Sequence, residues 1–363
     1  MTNSRLQDLR HQIDQIDTQL LALFNQRANC AISIAEVKRA ANDNPDEVID
    51  FFRPDREAQV IKQIKSLNQG PLSDDEAGRL IREVMSACLA LEQALKIAYL
   101  GPEGTFTHSA TLKYFGHSVT TVPMSSIADV FNAVESKHAD YGLVPIENST
   151  EGVVSHTLDM FIDSRLKICG EVEIPVHHHL VNQTQDKCQI KHIYAHQQSF
   201  AQCRRWLDQN YPGIERIPVS SNAEAAQLAR QDAAAAAICG APAANIFALR
   251  ICDENIEDLA DNSTRFVVIG RQSVNPGDCD KTSLLISTRN YPGALLDLLR
   301  PLADNGISMN KIESRPAPDH KWEYIFFIDI DGHQNGQTVA KALQDLAQKA
   351  VQFKILGSYP KAL

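Results

Sequence analysis

The sequence predicts a multidomain protein with an all-α segment, an α/β segment and a ferredoxin-like segment. Apolar residues recur at helical spacing from Leu6 to about Leu95. Strand-like and helix-like stretches then alternate from Ile97 to Gly270, the arrangement typical of α/β proteins. A βαββαβ order follows a turn-rich linker, Asn275-Pro276-Gly277-Asp278. A chain of 363 residues is too long for one typical core, which also favours several domains.

Composition narrows the classes of function. The net charge is −10, the pI is about 5.6, and the basic residues form no tract, so nucleic acid and anionic membranes are not expected partners. Residues 1–10 are polar and no uninterrupted apolar run is long enough to span a membrane, which predicts a cytoplasmic protein. The eight cysteines form no Cys-x-x-Cys pair and are expected to be reduced, mostly buried thiols.

The first helix has an apolar seam about 35 residues long, and a helix of that length usually packs against a partner helix, often in another subunit. Arg27 interrupts the seam, so a carboxylate or an anionic ligand should meet it. Lys38 lies about 20° round the helix and roughly 17 Å along it, close enough to hold the other end of a small molecule. Arg10 is roughly 25 Å from Arg27 and about 100° away in phase. If all three bind one substrate, Arg10 must come from a second copy.

Two further helices complete the all-α segment. The second is predicted from about Pro54 to Leu67. A capping-box pattern at Ser73-Asp74-Asp75-Glu76 starts the third, which is predicted to run to about Leu95. Arg53, Arg56 and Glu57 lie near the start of the second helix, and of these Arg56 and Glu57 are candidate site residues. Cys88 and Glu92 are candidates on one face of the third helix.

In the α/β segment, three polar stretches stand at strand ends. The stretch from Val144 to Gly152 carries Glu147, Asn148 and Ser149 where a strand ends and a helix begins, and Gly101 to His108 repeats this arrangement around Thr105. In the third stretch, Thr264 and Arg265 stand side by side at the start of a strand. Ligands of open α/β sheets bind at such strand ends. Strands are expected near 97–100, 119–122, 141–146, 168–174, 192–195, 215–219, 234–238 and 265–270.

The ferredoxin-like segment is predicted as strand, helix, strand, strand, helix, strand. The expected bounds are Thr282–Thr288, Gly293–Asn305, Ile307–Arg315, Trp322–Ile330, Gln337–Lys349 and Val351–Gly357. Such a fold alone says nothing about function.

Taken together, these motifs resemble known families. The three polar stretches, in their order and spacing, resemble the prephenate dehydratases from about Lys96 to Gly270, and the three-helix unit resembles the all-helical chorismate mutases, which form intertwined dimers. Gly293-Ala294-Leu295-Leu296 and Glu313-Ser314-Arg315-Pro316 are similar to the phenylalanine-binding motifs of ACT regulatory domains. The combination resembles the bifunctional chorismate mutase–prephenate dehydratases.

The resemblance implies a domain plan. It gives a mutase domain at 1–95, a dehydratase domain at 96–272 and an ACT domain at 281–363. The dehydratase would fold, like a periplasmic binding protein, as two lobes (96–175 plus 264–272, and 176–263) with the substrate cleft between them. Feedback inhibition by L-phenylalanine, a homodimer that can pair into a tetramer, and no cofactor or metal are also implied.

The resemblance further assigns residues to the two reactions. In the mutase, Arg27 and the partner copy's Arg10 would take the substrate carboxylates and Lys38 the ether oxygen, with Arg56 and Glu57 ordering the site. Glu92 and Cys88 stand where Gln and Ser are common, so Glu92 must be protonated to donate a hydrogen bond, which burial favours. In the dehydratase Thr264 is central. The other expected members of this site are Asn148, Ser149, Glu147, Thr105, Gln198 and Arg265.

Alternatives remain open from the sequence. The substrate could be arogenate instead of prephenate, or the protein could be a non-catalytic amino-acid sensor. A sensor has no need of both sets of site residues, Arg10, Arg27 and Lys38 in the helical segment and Thr264 in the α/β segment. A nucleic-acid-binding helical module is disfavoured by the acidic balance. His177-His178-His179 could suggest a metal site, but neighbours on a strand point to opposite faces and no acidic or cysteine ligand stands at a useful spacing.

Overall fold

A computed structural model describes residues 2–41, 50–289, 291–316 and 324–362. The all-α segment contains α1 (Thr2–Ala40), α2 (Pro54–Leu67) and α3 (Asp74–Glu92). The Ser73 hydroxyl accepts the Glu76 N–H at 3.2 Å and so caps α3, as the capping-box pattern predicts. Near its C-terminal end α1 buries Ala31 and Ala35, whereas its apolar residues from Leu6 to Phe24 are exposed within one chain.

The remaining elements follow in chain order. The α/β segment holds β1 (Lys96–Leu100), α4 (Phe106–Phe115), β2 (Thr120–Met124), α5 (Ile127–Glu135), β3 (Tyr141–Asn148), β4 (Gly152–Val153), α6 (Ser155–Asp163), β5 (Lys167–Pro175), β6 (His179–Asn182), β7 (His192–His196), α7 (Gln197–Gln202), α8 (Arg204–Asn210), β8 (Glu215–Val219), α9 (Asn222–Gln231), β9 (Ala235–Cys239), α10 (Ala241–Ile246), β10 (Arg250–Asp253) and β11 (Ser263–Gly270). The final segment holds β12 (Asp280–Ser287), α11 (Ala294–Asp304), β13 (Met309–Pro316), β14 (Tyr324–Asp331), α12 (Gln337–Lys349) and β15 (Gln352–Pro360).

The α/β segment forms two sheets. The first, in the order β2-β1-β3-β11-β5 with β4 beside β3, is the first lobe, and the second, in the order β10-β6-β9-β7-β8, is the second lobe. Between the lobes the chain passes from β5 to β6 and returns into β11, where the Val176 N–H donates to the Asn262 carbonyl at 2.8 Å. Strand β11 therefore returns between β3 and β5, which places the residues that begin it beside the end of β3.

Each lobe has its own apolar core. In the first, Phe131 of α5 and Phe161 of α6 pack edge to face with ring centroids 5.1 Å apart. In the second, the alanine-rich β9 is fully buried and falls where the sequence predicts a strand near 234–238. The sequence prediction did not contain β4, β6 or β10, which are two to four residues long. Segments this short carry too few residues to display an alternating pattern.

The last segment is ferredoxin-like, as predicted, with the antiparallel order β13-β14-β12-β15. One face of its sheet packs on α11 and α12, and the other places Leu285, Phe327 and Tyr359 in the core of the first lobe. The two segments therefore share a hydrophobic core. The predicted first residues of β14, Trp322 and Glu323, lie outside the described residues.

All eight cysteines are free thiols, as expected, but Cys30, Cys188 and Cys279 are exposed. None of the helices in the described part of the chain is long and apolar enough to span a membrane.

Candidate functional site

A cleft of about 790 Å³ separates the two lobes. The first lobe contributes the turn before α4, the end of β3 and Thr264, and the second contributes His178 and the starts of α7 and α9. Of the residues expected in this site, Thr105, Asn148, Gln198 and Thr264 line the cleft. The Thr105 hydroxyl accepts the His108 N–H at 3.3 Å and so caps α4, whose N-terminus faces the cleft.

Asn148 and Thr264 are directly opposite each other on β3 and β11. The Asn148 Nδ2 donates to the Thr264 Oγ1 at 2.8 Å and to the Asn262 Oδ1 at 2.9 Å. The backbone N–H groups of Thr150 and Glu151 both donate to the Asn148 Oδ1, which fixes the orientation of this amide. Because the Thr264 oxygen accepts from Asn148, the hydroxyl hydrogen is left to be donated into the cleft.

The hydrogen-bonded chain continues from Asn262 into the second lobe. The Asn262 Nδ2 donates to the Gln202 Oε1 at 3.3 Å, and the His178 Nε2 lies 2.8 Å from the same oxygen. Asn262 and His178 are 3% and 1% exposed. This buried network connects Thr264 to a histidine across the cleft, and a satisfied polar network of this kind favours one arrangement of its members.

Sequence reasoning missed Gln202, Asn262 and the part His178 plays. The sequence suggests only a metal site for the histidine triplet, and no group of three His, Cys, Asp or Glu side chains suited to a metal ion occurs among the described residues. Burial lowers the pKa of His178, while Gln202 and Glu257 act in the opposite direction. A useful signal was available, because alternation along an extended segment sends His178 to the opposite side from His177 and His179.

Glu147 and Arg265 do not line the cleft, which corrects the expectation that they belong to its wall. Neighbours on a strand face opposite sides, so with Asn148 and Thr264 in the cleft, Glu147 and Arg265 point away from it. They meet the ferredoxin-like segment: Arg265 lies 2.9 Å from Asp329, and Glu147 lies 2.8 Å from Lys311.

Ser149 was also expected to line the cleft, but it makes a structural contact instead. Its hydroxyl accepts the Ser263 N–H at 2.9 Å and donates to the Asp261 carbonyl at 3.3 Å. It is not among the residues that line the cleft. Ser149 therefore joins the end of β3 to the start of β11, which holds Asn148 against Thr264.

A second cluster lies where α1 meets α3. Burial raises the pKa of Glu92, and the positive charges of Lys38, Arg27 and Arg39 oppose this shift. Cys88, one turn earlier on α3, is buried. Arg39, which sequence reasoning missed, donates to the Glu92 carbonyl at 2.6 Å. Three cations around one half-buried carboxyl form a site that can receive an anion.

The other residues expected near this cluster lie on separate helical segments. Arg56 and Glu57 are in the first turn of α2, where the Arg56 guanidinium donates to Gln59. Arg10 is exposed in the N-terminal half of α1.

In the ferredoxin-like segment, Gly293 has φ +87° directly before α11, a conformation that favours glycine. The next residue, Ala294, is buried and Leu295 is half-buried. On β13, Ser314 and Pro316 are exposed, whereas Glu313 and Arg315 lie on the face toward the first lobe. The Arg315 guanidinium bonds both carboxylate oxygens of Asp159 on α6, at 2.8 and 3.0 Å.

Comparison with known proteins covers all three segments. Family models described as chorismate mutase type II, prephenate dehydratase and ACT domain match residues 9–93, 97–274 and 282–348. Bifunctional chorismate mutase/prephenate dehydratases of Pseudomonas aeruginosa and Stutzerimonas stutzeri are 51% and 50% identical over 360 residues, which cover 99% of this chain and 98% of each relative. The crystal structure of prephenate dehydratase from Arthrobacter aurescens in complex with L-Phe superposes with a TM-score of 0.68 and 35% identity, covering 74% of this chain and 90% of that one.

Proposed function

Because the chain belongs to the family of bifunctional chorismate mutase/prephenate dehydratases, we propose that it rearranges chorismate to prephenate and converts prephenate to phenylpyruvate. Its helical segment performs the first reaction and its two-lobed segment the second. The observation that carries the proposal is the bonded pair of Asn148 and Thr264 in the cleft of a chain matched from end to end by such enzymes. Neither reaction needs a redox cofactor.

The dehydratase reaction loses CO₂ and the ring hydroxyl as the ring becomes aromatic. The cleft suits a substrate with two carboxylates, since the N-termini of α4 and α9 line it from opposite lobes. Unpaired N–H groups at a helix N-terminus favour an anion. With both ends held, the Thr264 hydroxyl can donate a hydrogen bond to the departing oxygen, and Asn148 keeps it oriented.

The mutase reaction is a pericyclic rearrangement of a dianion, so the site must hold a reactive conformation and stabilise charge on the ether oxygen. Arg27 takes one carboxylate through its guanidinium fork and Lys38 the ether oxygen. Glu92 donates a second hydrogen bond to that oxygen, and its raised pKa supports the protonated form that this requires. Cys88 lies beside it, and Arg56 and Glu57 order the rest of the site.

A homodimer completes the mutase site in this proposal. Ile13 and Leu23 of α1 are 56% and 58% exposed, and exposed apolar residues continue along the helix. Such a seam needs a partner helix to exclude water. A second copy of α1 supplies that cover and brings Arg10 to the partner's Arg27. We place this enzyme in the cytoplasm.

L-phenylalanine inhibits the dehydratase through the ACT domain. We assign its site to the turn at Gly293, Ala294 and Leu295 together with β13, which carries Glu313, Ser314, Arg315 and Pro316. Glu147 contacts Lys311, and Arg265 contacts Asp329. Glu147 and Arg265 each adjoin, on their own strand, a residue that lines the cleft, namely Asn148 or Thr264. These contacts therefore support transmission of the effect of phenylalanine to the cleft. Inhibition requires phenylalanine to bind the less active state more tightly.

The test is an assay with chorismate alone, without added cofactor. We expect chorismate to disappear, phenylpyruvate to form, and L-phenylalanine to suppress phenylpyruvate formation. Accumulation of prephenate without phenylpyruvate would overturn the dehydratase assignment, and arogenate would then be tried as the substrate. Absence of chorismate loss would overturn the mutase assignment.

A further inference from the structure

Of three consecutive histidines, His178 alone is among the residues that line the cleft. The His177 Nδ1 lies 2.8 Å from the Glu257 Oε1, and the His179 Nδ1 accepts the Asn255 N–H at 3.2 Å. The His178 Nδ1 is buried and makes no hydrogen bond within the described part of the chain. A buried polar atom without a partner is costly, so this nitrogen needs a role.

The surroundings of His178 determine which nitrogen can exchange a proton. Its Nε2 lies 2.8 Å from the Gln202 Oε1, which also accepts from the Asn262 Nδ2. The Gln202 Nε2 donates to the Glu151 Oε1 at 3.4 Å, so both ends of this amide are engaged and its oxygen faces the imidazole. The hydrogen of the neutral ring is therefore on Nε2, and Nδ1 carries the free lone pair.

The proposed dehydratase reaction needs a proton that Thr264 cannot supply unaided, because a threonine hydroxyl is a very weak acid. Among the described residues that line the cleft, the only ionisable side chains are those of His178 and His196. The His196 Nδ1 already accepts the Gln198 N–H at 3.3 Å and caps α7. His178 is thus the cleft histidine whose Nδ1 is available.

We propose that His178 is a catalytic residue of the dehydratase, whose Nδ1 delivers a proton to the departing hydroxyl while Thr264 bonds the same oxygen. The bond between the ring and the carboxylate breaks and its electron pair enters the ring. The carbon–oxygen bond at the opposite ring position breaks with its pair on oxygen. That oxygen takes the proton from Nδ1 and leaves as water, so that CO₂, water, phenylpyruvate and a neutral His178 result. This inference rests on the proposed dehydratase function.

The charges around His178 determine when it carries this proton. Glu257, which accepts the His178 backbone N–H at 2.9 Å, favours the imidazolium, whereas His177, His179 and burial oppose it. Phe106 presents an edge-to-face ring and no charge. The dianionic substrate adds the missing negative charge, so the proton is taken up as substrate binds. Because burial lowers the pKa of His178, kcat/KM for prephenate should fall as pH rises through and above that pKa.

The test compares His178→Gln with wild type, using prephenate as substrate across pH. Loss of a general acid lowers kcat about 100-fold or more. We expect kcat of the variant to fall by this factor while KM changes less than about threefold. The decline of kcat/KM that wild type shows at rising pH should be absent in the variant. Gln202→Leu, which removes the partner of Nε2, should lower kcat about tenfold and retain a pH dependence.

His192→Gln is the matched control, since it removes another imidazole of the second lobe that lies 2.9 Å from Asp232 and is not among the residues that line the cleft, and it should keep kcat within about threefold. Melting temperature and L-phenylalanine binding check that each variant is folded. A folded His178→Gln enzyme with kcat within about threefold of wild type, or with the wild-type pH decline, overturns the inference. Wild-type protein that forms no phenylpyruvate would instead overturn the proposed function, so the two failures are distinguishable.

Discussion

Thr264 and Arg265 are neighbours on β11 whose side chains leave the strand on opposite faces. Thr264 lines the cleft and accepts a hydrogen bond from Asn148, whereas Arg265 lies 2.9 Å from Asp329 of the ferredoxin-like segment. Strand β3 repeats this division, with Asn148 in the cleft and Glu147 bonded to Lys311. A shift of the ferredoxin-like segment would therefore act on both strands at the positions next to the candidate catalytic residues.

Asp329→Asn should weaken the inhibition of the dehydratase by L-phenylalanine. The Arg265 and Asp329 side chains are 17% and 10% exposed. Glu147 and Glu171 also lie 3.3 Å from the Arg265 guanidinium, so removal of the Asp329 charge leaves it partly compensated and costs less than the roughly 3–5 kcal/mol of a fully broken buried pair. We expect a lower melting temperature and at least a threefold rise in the phenylalanine concentration that halves activity, because the coupling contact is weakened.

Asp331→Asn provides the control for Asp329→Asn. Asp331 stands two residues along the same strand and bonds Lys361 and Asn310 within the ferredoxin-like segment. It should leave inhibition within about twofold of wild type. Equal loss of inhibition in both variants would argue against a specific connection through Arg265.

Thr264→Ala should lower phenylpyruvate formation by at least about 100-fold, because it removes the hydroxyl that Asn148 orients toward the substrate. Thr264→Ser keeps a hydroxyl at the same carbon and should retain a substantial fraction of the rate. Consumption of chorismate by the same samples should be unchanged in both variants. If Thr264→Ala formed phenylpyruvate at the wild-type rate, the central role of this residue would be refuted.

Local patterns in the sequence predicted the three segments, and the resemblance to the prephenate dehydratases assigned Asn148 and Thr264 to one site. The 3.6-residue period of apolar residues predicts the helices, and the capping box predicts the start of α3 at Ser73. Polar residues after apolar runs mark the ends of strands. The resemblance failed for Glu147 and Arg265, since a motif names residues without stating which face of the strand each occupies. His178, Gln202 and Asn262 come from separate parts of the chain, and their proximity depends on how β11 returns between β3 and β5.

Glu92→Gln should keep mutase activity and make it less sensitive to rising pH. Burial raises the pKa of Glu92, so its protonated form persists to higher pH than that of an exposed glutamate, and is then lost as pH rises through that pKa. A glutamine amide donates the same hydrogen bond and does not titrate. The measurement is kcat/KM for chorismate between pH 5 and 9. An unchanged pH profile in the variant would remove this role from Glu92.

Mixing Arg10→Ala chains with Arg27→Ala chains should restore mutase activity that neither variant has alone. If each site takes Arg27 from one copy and Arg10 from the other, a mixed dimer contains one intact site and one site that lacks both. Random pairing of equal amounts makes half of the dimers mixed, so about a quarter of the wild-type activity should return.

The mixing must be done under conditions that exchange subunits, such as mild denaturation and refolding of the pooled chains. Arg10→Ala mixed with more Arg10→Ala is the matched control and should stay inactive. Dehydratase activity with prephenate should be similar in every sample, because its candidate residues lie in the cleft of a single chain. Full activity of Arg10→Ala on its own would exclude Arg10 from the site. If both single variants were inactive and no activity returned after verified exchange, Arg10 and Arg27 would belong to a site formed by one chain. That outcome would contradict the proposal, which rests on the exposed apolar seam of α1 and on the distance between the two arginines along the helix.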